Sequence, residues 1–300
     1  MTDTTAPGQI RKPNVGDAVL LLVLGCLWGS AFLPIKIAVT ETGPVLLVFL
    51  RVLCALVPLW LYMTWRGVGF PDNGYDRRLI FIMSLLNSVV PFLLLSWAGL
   101  HISSGVMALI MGISPLLSLF ISHLSTHDDK FSSSKFIGML IGFSGLAVII
   151  GGDALSGLSK NLAGDLAVVG AISCYAVATA MVRKVRSTSK EAIATSNMIV
   201  SIFVLAPLVV LVEPPSIADL SMNALLAIAY LGVVTTGLGY LMRYHMVLTV
   251  GQSYMSMAAY IMPIVGVFLG VIFLGEPLSA NIMIALALVL GGFAFARFGA

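Results

Sequence analysis

A chain of 300 residues that is 59% hydrophobic and only 10% charged cannot build the charged exterior a soluble protein needs. A mean hydropathy of +1.05 assigns it to the membrane instead. The net charge of +3 leaves no nucleic-acid footprint, and Cys26, Cys54 and Cys174 all fall inside apolar runs, as reduced packing residues rather than a disulfide framework.

Residues 1–16 form a short polar tail. The first apolar run, Val19 to Val39, is too long for a cleaved signal segment and lacks a small-residue cleavage site, so it reads as a retained span. A span needs about 20 apolar residues. Reading between charges and turn signals predicts ten, at 17–39, 44–65, 78–100, 102–124, 135–151, 164–184, 191–212, 220–245, 250–274 and 279–298. Helices are required, because open strands leave their backbone unsatisfied in lipid. Basic residues then set the orientation. With the N-terminus in the cytoplasm, the inner side collects Arg11, Lys12, Arg66, Arg77, Arg78, Lys130, Lys135, Arg183, Lys184, Arg186, Lys190, Arg243 and Arg297. The outer side holds only Lys36 and Lys160, and both termini come out cytoplasmic.

The two halves match at an offset of about 147 or 148: Gly16-Asp17 returns as Gly164-Asp165, Cys26 as Cys174, Trp28 as Tyr175, Met107 as Met255 and Pro115 as Pro263. This divides the chain into a tail (1–16), a first five-helix repeat (17–151), an extracytoplasmic linker (152–163) and a second repeat (164–300). Five spans is an odd number, so the second repeat enters the membrane inverted. Inverted repeats belong to alternating-access transporters, with the substrate near the midplane. The competing reading is a duplication used only for packing.

Three stretches carry a family likeness. They are "LWGSAFLPIK" (27–36), "FLRVLCALVPL" (49–59) with its Arg51, and residues 230–295, which run from "YLGVVTTGLGY" to "LGEPLSANIMIALALVLGGFAF". In these the chain resembles the drug/metabolite transporter superfamily, EamA type, over about 280 residues. It departs from the pattern where the first half reads "HDDKFSS" (127–133) in place of the G-E-x-L-S turn. The resemblance implies an all-α integral membrane protein. Its ten transmembrane helices would form two inverted five-helix repeats around a central cavity lined by spans 1, 3, 4, 6, 8 and 9. Within the superfamily the chain most resembles the YddG amino-acid exporters, which implies outward transport of aromatic and other hydrophobic amino acids across the inner membrane. Sugar-phosphate carriers share the fold, but a phosphate wants paired cations at the midplane, and the spans offer no such pair.

No Asp or Glu falls near a span centre, so a carboxylate proton relay is not expected, and facilitated diffusion of amino acids or similar small neutral metabolites is the simplest mechanism. A broad-specificity, proton-coupled drug/metabolite exporter is the alternative. Arg51 reads either as a snorkelling arginine paired with Glu41, or as an outer gate or anchor for a substrate carboxylate. Pro91, Pro115 and Pro263 lie near the middles of their spans, leaving the carbonyls of Asn87, Met111 and Ala259 without their usual donor. They serve as kinks, as hinges for rocking, or as sources of acceptors for a substrate ammonium.

A soft polar lining is expected from Ser84, Asn87 and Ser88 on span 3 and from Met107 and Met111 on span 4. Span 8 would add Thr235, Thr236, Tyr240 and Tyr244, and span 9 would add Ser253, Ser256 and Tyr260, with Trp28 and Tyr175 from spans 1 and 6. Helix packing explains each singly; together they suit an apolar cavity with a few hydroxyls. The four histidines have no ligand spacing, so no metal or cofactor is expected. Nor is an enzyme, since no buried aspartate pair or Ser-His dyad is present. The expected partners are a small-molecule substrate and lipid, with a monomer sufficient.

Overall fold

The computed structural model describes residues 11–115, 117, 133–155, 159–182, 184–185, 188–212 and 217–298. Asp128, most of the 127–133 turn and the last part of the fourth predicted span lie outside the described residues. Among those described, every regular element is helical and there is no strand.

α1 (Val15–Ser30) runs into α2 (Phe32–Trp65) as one apolar stretch of 51 residues. It divides at Gly43, whose φ of 69° and ψ of 170° suit a residue without a side chain. Pro44 follows at the start of the next helical length, where a missing amide has no consequence. Next come α3 (Gly74–Ser84), a π-helical segment (Leu85–Val89) and α4 (Val90–Gly99), continuous over 26 residues. α5 (Ser104–Met111), α6 (Ser133–Leu155), α7 (Ser159–Val182) and α8 (Lys190–Val212) follow. α9 (Met222–Ala229), a second π segment (Tyr230–Leu238) and α10 (Gly239–Thr249) form another continuous stretch. The chain ends with α11 (Gln252–Met255), a 3-10 turn (Ser256–Tyr260), α12 (Ile261–Leu274) and α13 (Ala280–Phe298).

Among the described residues, six helical stretches are long and apolar enough to cross a membrane. Their outward faces are apolar: Phe203 is 76% and Leu211 80% exposed. Such surface belongs in lipid, and the chain is a multi-pass membrane protein. In that solvent helices associate through close packing of small residues. α6 lies on α13, where a side chain on Gly292 would come within 2.6 Å of the Gly138 carbonyl. α5 lies on α12, where a Cβ on Gly266 would meet that of Ala108. α2 packs on α8 and on the second π segment, α4 on α7, and α1 on α12.

The prolines sit differently from an interior kink. Pro263 is the third residue of α12, in the turn where helical amides have no intrahelical partner anyway. The helix breaks before it, in the 3-10 turn. Pro115 likewise follows a break, at Gly112 and Ile113 after α5. Pro91 comes two residues after the first π segment, and the Asn87 carbonyl that it orphans accepts a hydrogen bond from the Tyr240 hydroxyl. That acceptor is therefore taken by the protein.

Candidate functional site

The breaks face one open-mouthed cavity, concave and mostly apolar as small-molecule sites are. Met111, Ser114 and Pro115 line it from the break after α5. Met255, Ser256, Ala259 and Met262 line it from the break before α12. The wall is mostly apolar, with the aromatic rings of Trp28, Phe32, Phe92, Tyr175 and Tyr240. Trp28 fits because Gly239 has no side chain: a Cβ there would lie 2.9 Å from the indole nitrogen.

Two arginines reach this cavity. Arg51, on α2, is 5% exposed. Its Nε donates to Thr236 Oγ1 at 2.8 Å, and its guanidinium carbon lies 3.7 Å over the centre of the Phe92 ring. A cation over an aromatic face is attracted by the ring quadrupole. The Thr236 hydroxyl donates to the Leu231 carbonyl at 2.7 Å, beside that of Thr235 at 2.8 Å, which leaves its oxygen to accept from Arg51. π turns of this kind are frequent at functional sites. The pairing with Glu41 is corrected, since Glu41 instead accepts from the amide and hydroxyl of Ser221, which starts α9.

Arg243, on α10, is 4% exposed and lines the same cavity. Its Nη1 donates to Asn87 Oδ1 and its Nη2 to Thr179 Oγ1 at 2.9 Å. This corrects its reading as a surface residue, and puts a second cation on the cavity wall together with Arg51. The side chain turns inward to two acceptors, buried Asn87 from the first half of the chain and half-buried Thr179 from the second. Among the described residues neither arginine pairs with a carboxylate, and none lines the cavity.

The remaining expected residues divide into lining and support. Trp28, Arg51, Met111, Pro115, Tyr175, Thr235, Tyr240 and Ser256 lie on the cavity. Asn87 and Ser88 stand behind it. Asn87 holds Arg243 and donates to the Tyr244 hydroxyl at 3.3 Å, while Ser88 lies 3.2 Å from the Tyr240 hydroxyl and 3.4 Å from Asn197 Oδ1. Ser84 donates to the Ile80 carbonyl of its own helix, and Met107 is fully buried among apolar neighbours. Tyr260, Pro91 and Pro263 are not among the lining residues. The side chain of Ser253 lies outside the described residues. Arg243, Thr179 and Phe92 were missed. Thr179 lies four residues after Tyr175, and Arg243 three after Tyr240, so helical spacing from the expected residues puts both on the right face.

At one end of the bundle, Glu276 accepts from the amides of Ser104 and Gly105 at 2.6 and 2.9 Å, at the start of α5. Lys36 Nζ donates to the neighbouring Ile102 carbonyl. Near the other end lie the Arg11–Asp17 ion pair and the contact of Thr188 with Asp76.

A helical membrane bundle whose broken helices border a mostly apolar cavity is the build of a small-solute transporter. The model of the EamA-like transporter family matches residues 17–151 and again 162–298, and the chain belongs to that family. It is 26% identical to an uncharacterized transporter of Archaeoglobus fulgidus, over 91% of this chain and 96% of that one. It is 24% identical to the uncharacterized transporter YoaV of Bacillus subtilis, over 89% and 91%. Against the uncharacterized inner membrane transporter YedA of Escherichia coli K12, identity is 26% over 90% and 86%. A solved crystal structure at 19% identity superposes over 96% of this chain and 98% of its own, with a TM-score of 0.72, a likeness of fold alone.

Proposed function

We propose that this transporter is an alternating-access exporter of small solutes that combine a carboxylate with an apolar body, hydrophobic and aromatic amino acids among them. The observation that carries the reading is the cavity itself: an aromatic and aliphatic wall, with Arg51 and Arg243 set where a carboxylate can be held. Guanidinium groups bind carboxylates through paired, charge-assisted hydrogen bonds.

Its ten helices form two inverted repeats, with both termini in the cytoplasm of a cell whose inner membrane it spans. The double match to one family model supports the repeat. So do the π segments, since residues 85–89 shifted by 147 fall within 230–238. The polar contacts recur too. Arg51 with Thr236 has an approximate counterpart in Asn197 with Ser88, where Ser88 and Thr236 are 148 apart and Arg51 and Asn197 are 146 apart. The basic residues support the orientation even without Arg243, and a monomer suffices. Transport runs as facilitated diffusion, because no carboxylate among the described residues faces the cavity to carry a proton.

The test is efflux from proteoliposomes loaded with labelled amino acids and related acids, with and without a pH gradient. Protein-dependent efflux of at least one hydrophobic member is expected, unchanged by the gradient. Efflux of none would sink the reading.

A further inference from the structure

The geometry points to a substrate that is a net anion, an organic acid with an aromatic or aliphatic body, in preference to a zwitterion; this rests on the carrier reading above and narrows it. Amino acids satisfy the wall and one arginine. They do not satisfy the charge. Among the described residues the lining holds two guanidinium groups and no Asp or Glu. Three carboxylates away from the cavity have their own partners: Glu41 with Ser221, Glu276 with Ser104 and Gly105, Asp17 with Arg11.

Arginine carries five N–H donors. Arg51 uses its Nε on Thr236, and its two terminal amino groups have no acceptor among the described residues. They form an unfilled fork on a side chain that is 5% exposed, on the cavity wall. Arg243 is held by Asn87 and Thr179, both neutral, so its charge remains uncompensated. A buried, unpaired cation is costly, and a bound anion relieves that cost.

A monoanion lowers the formal charge of the lining from +2 to +1. A zwitterion leaves it at +2 and brings an ammonium between two guanidinium groups, with no carboxylate to receive it. A cation raises it further. The order of binding is anion, zwitterion, cation.

The same charge supplies a driving force. Over a full carrier cycle the protein's own charges return to their starting place, so the net charge moved is the substrate's. An inside-negative potential of 100 mV then favours the outside position of a monoanion about 50-fold, with no coupling ion.

A matched series with one aromatic body tests this: 3-phenylpropionate, L-phenylalanine and phenethylamine, with charges of −1, 0 and +1. Thermal stabilisation of the full-length protein in detergent reads binding without requiring transport. Phenylpropionate is expected to half-saturate at a concentration roughly tenfold lower than phenylalanine, a ratio in line with one charged hydrogen bond, and phenethylamine is expected to give no shift. Arg243→Gln should erase the preference and Arg243→Lys retain it. If the glutamine variant does not fold, the wild-type series decides alone. Equal half-saturation across the series, or no shift with phenylpropionate, overturns the inference. Proteoliposomes on a solid-supported electrode give the second readout: a phenylpropionate jump should produce a protein-dependent current of anion sign, and a phenylalanine jump none. If phenylalanine crosses while phenylpropionate does not bind, this inference fails and the carrier reading survives. If phenylpropionate binds and nothing in the series crosses, the reverse holds.

Discussion

Replacing Glu276 by Gln is nearly isosteric and isolates one charge. Glu276 Oε1 accepts the Ser104 amide at 2.6 Å and Oε2 the Gly105 amide at 2.9 Å. These amides lie in the first turn of α5, where a helix supplies no partner of its own. The chain is shaped for the contact: Gly275 ends α12 in the left-handed region at φ 64°, turning Glu276 back, and a Cβ on Gly270 would lie 2.3 Å from Oε2. A glutamine can accept from only one of the two amides, and its NH2 then faces the other donor. One charged hydrogen bond, about 1.5–3 kcal/mol, is lost together with about 0.3–1 kcal/mol of interaction with the helix dipole. Because the contact is half-exposed, the lower part of that range applies, about 2 kcal/mol in total. Chemical unfolding in detergent should show it, with Glu41→Gln, whose contact to Ser221 is exposed, losing less. Gly270→Ala should destabilise through the same contact, and Glu276→Ala with Gly270→Ala should lose less than the sum. A Glu276→Gln protein within about 0.5 kcal/mol of wild type would refute the argument, since surface changes alone fall in that band.

Three further outcomes are expected. Gly232→Ala would set a methyl 2.3 Å from Cys54 Cβ and 2.6 Å from the Arg51 carbonyl, so it should cost about 1–3 kcal/mol in the same unfolding assay, while Gly69→Ala, with no atom within 4 Å, should melt with wild type. Tyr240→Phe removes the donor to the Asn87 carbonyl and should destabilise by about 1–3 kcal/mol, yet keep the order of ligand binding, because Arg51 and Arg243 remain. Collapsing a proton gradient across proteoliposomes should leave the initial efflux rate unchanged, read as the ratio with and without an ionophore, because no described carboxylate lines the cavity.

What the sequence makes legible follows from how local each signal is. Trp28, Tyr175, Thr235, Tyr240 and Ser256 stand out as polar or aromatic exceptions in apolar runs, and they do fall on the cavity. Arg243 does not announce itself. Near the end of an apolar run, an arginine can snorkel to the interface or turn inward, and the choice is made by Asn87, 156 residues away. Glu276 reads locally as an acidic turn, but its partners lie 172 and 171 residues earlier. Pro91 marks the Asn87 carbonyl as short of its usual i+4 donor; only the fold brings the Tyr240 hydroxyl to it. Hydropathy points to the six long apolar stretches among the described residues because lipid imposes the same demand on every helix, whereas the pairing of one helix with another is set by steric fit across the bundle.

The arginines also bear on why a repeat should be uneven. The π segments recur in both halves, as do the helix breaks beside Pro115 and Pro263. The charges do not. At an offset of 147, Arg51 corresponds to Met198 and Arg243 to Ser96. The alternating access proposed above asks the halves to pack alike, so that either arrangement costs about the same. Binding asks for the opposite: a solute with one charged end and one apolar end has no two-fold symmetry, and a site with equal charge in both halves would hold it equally well in two orientations. Placing a cation where the other half has methionine or serine breaks that degeneracy at the cavity and leaves the backbone scaffold matched.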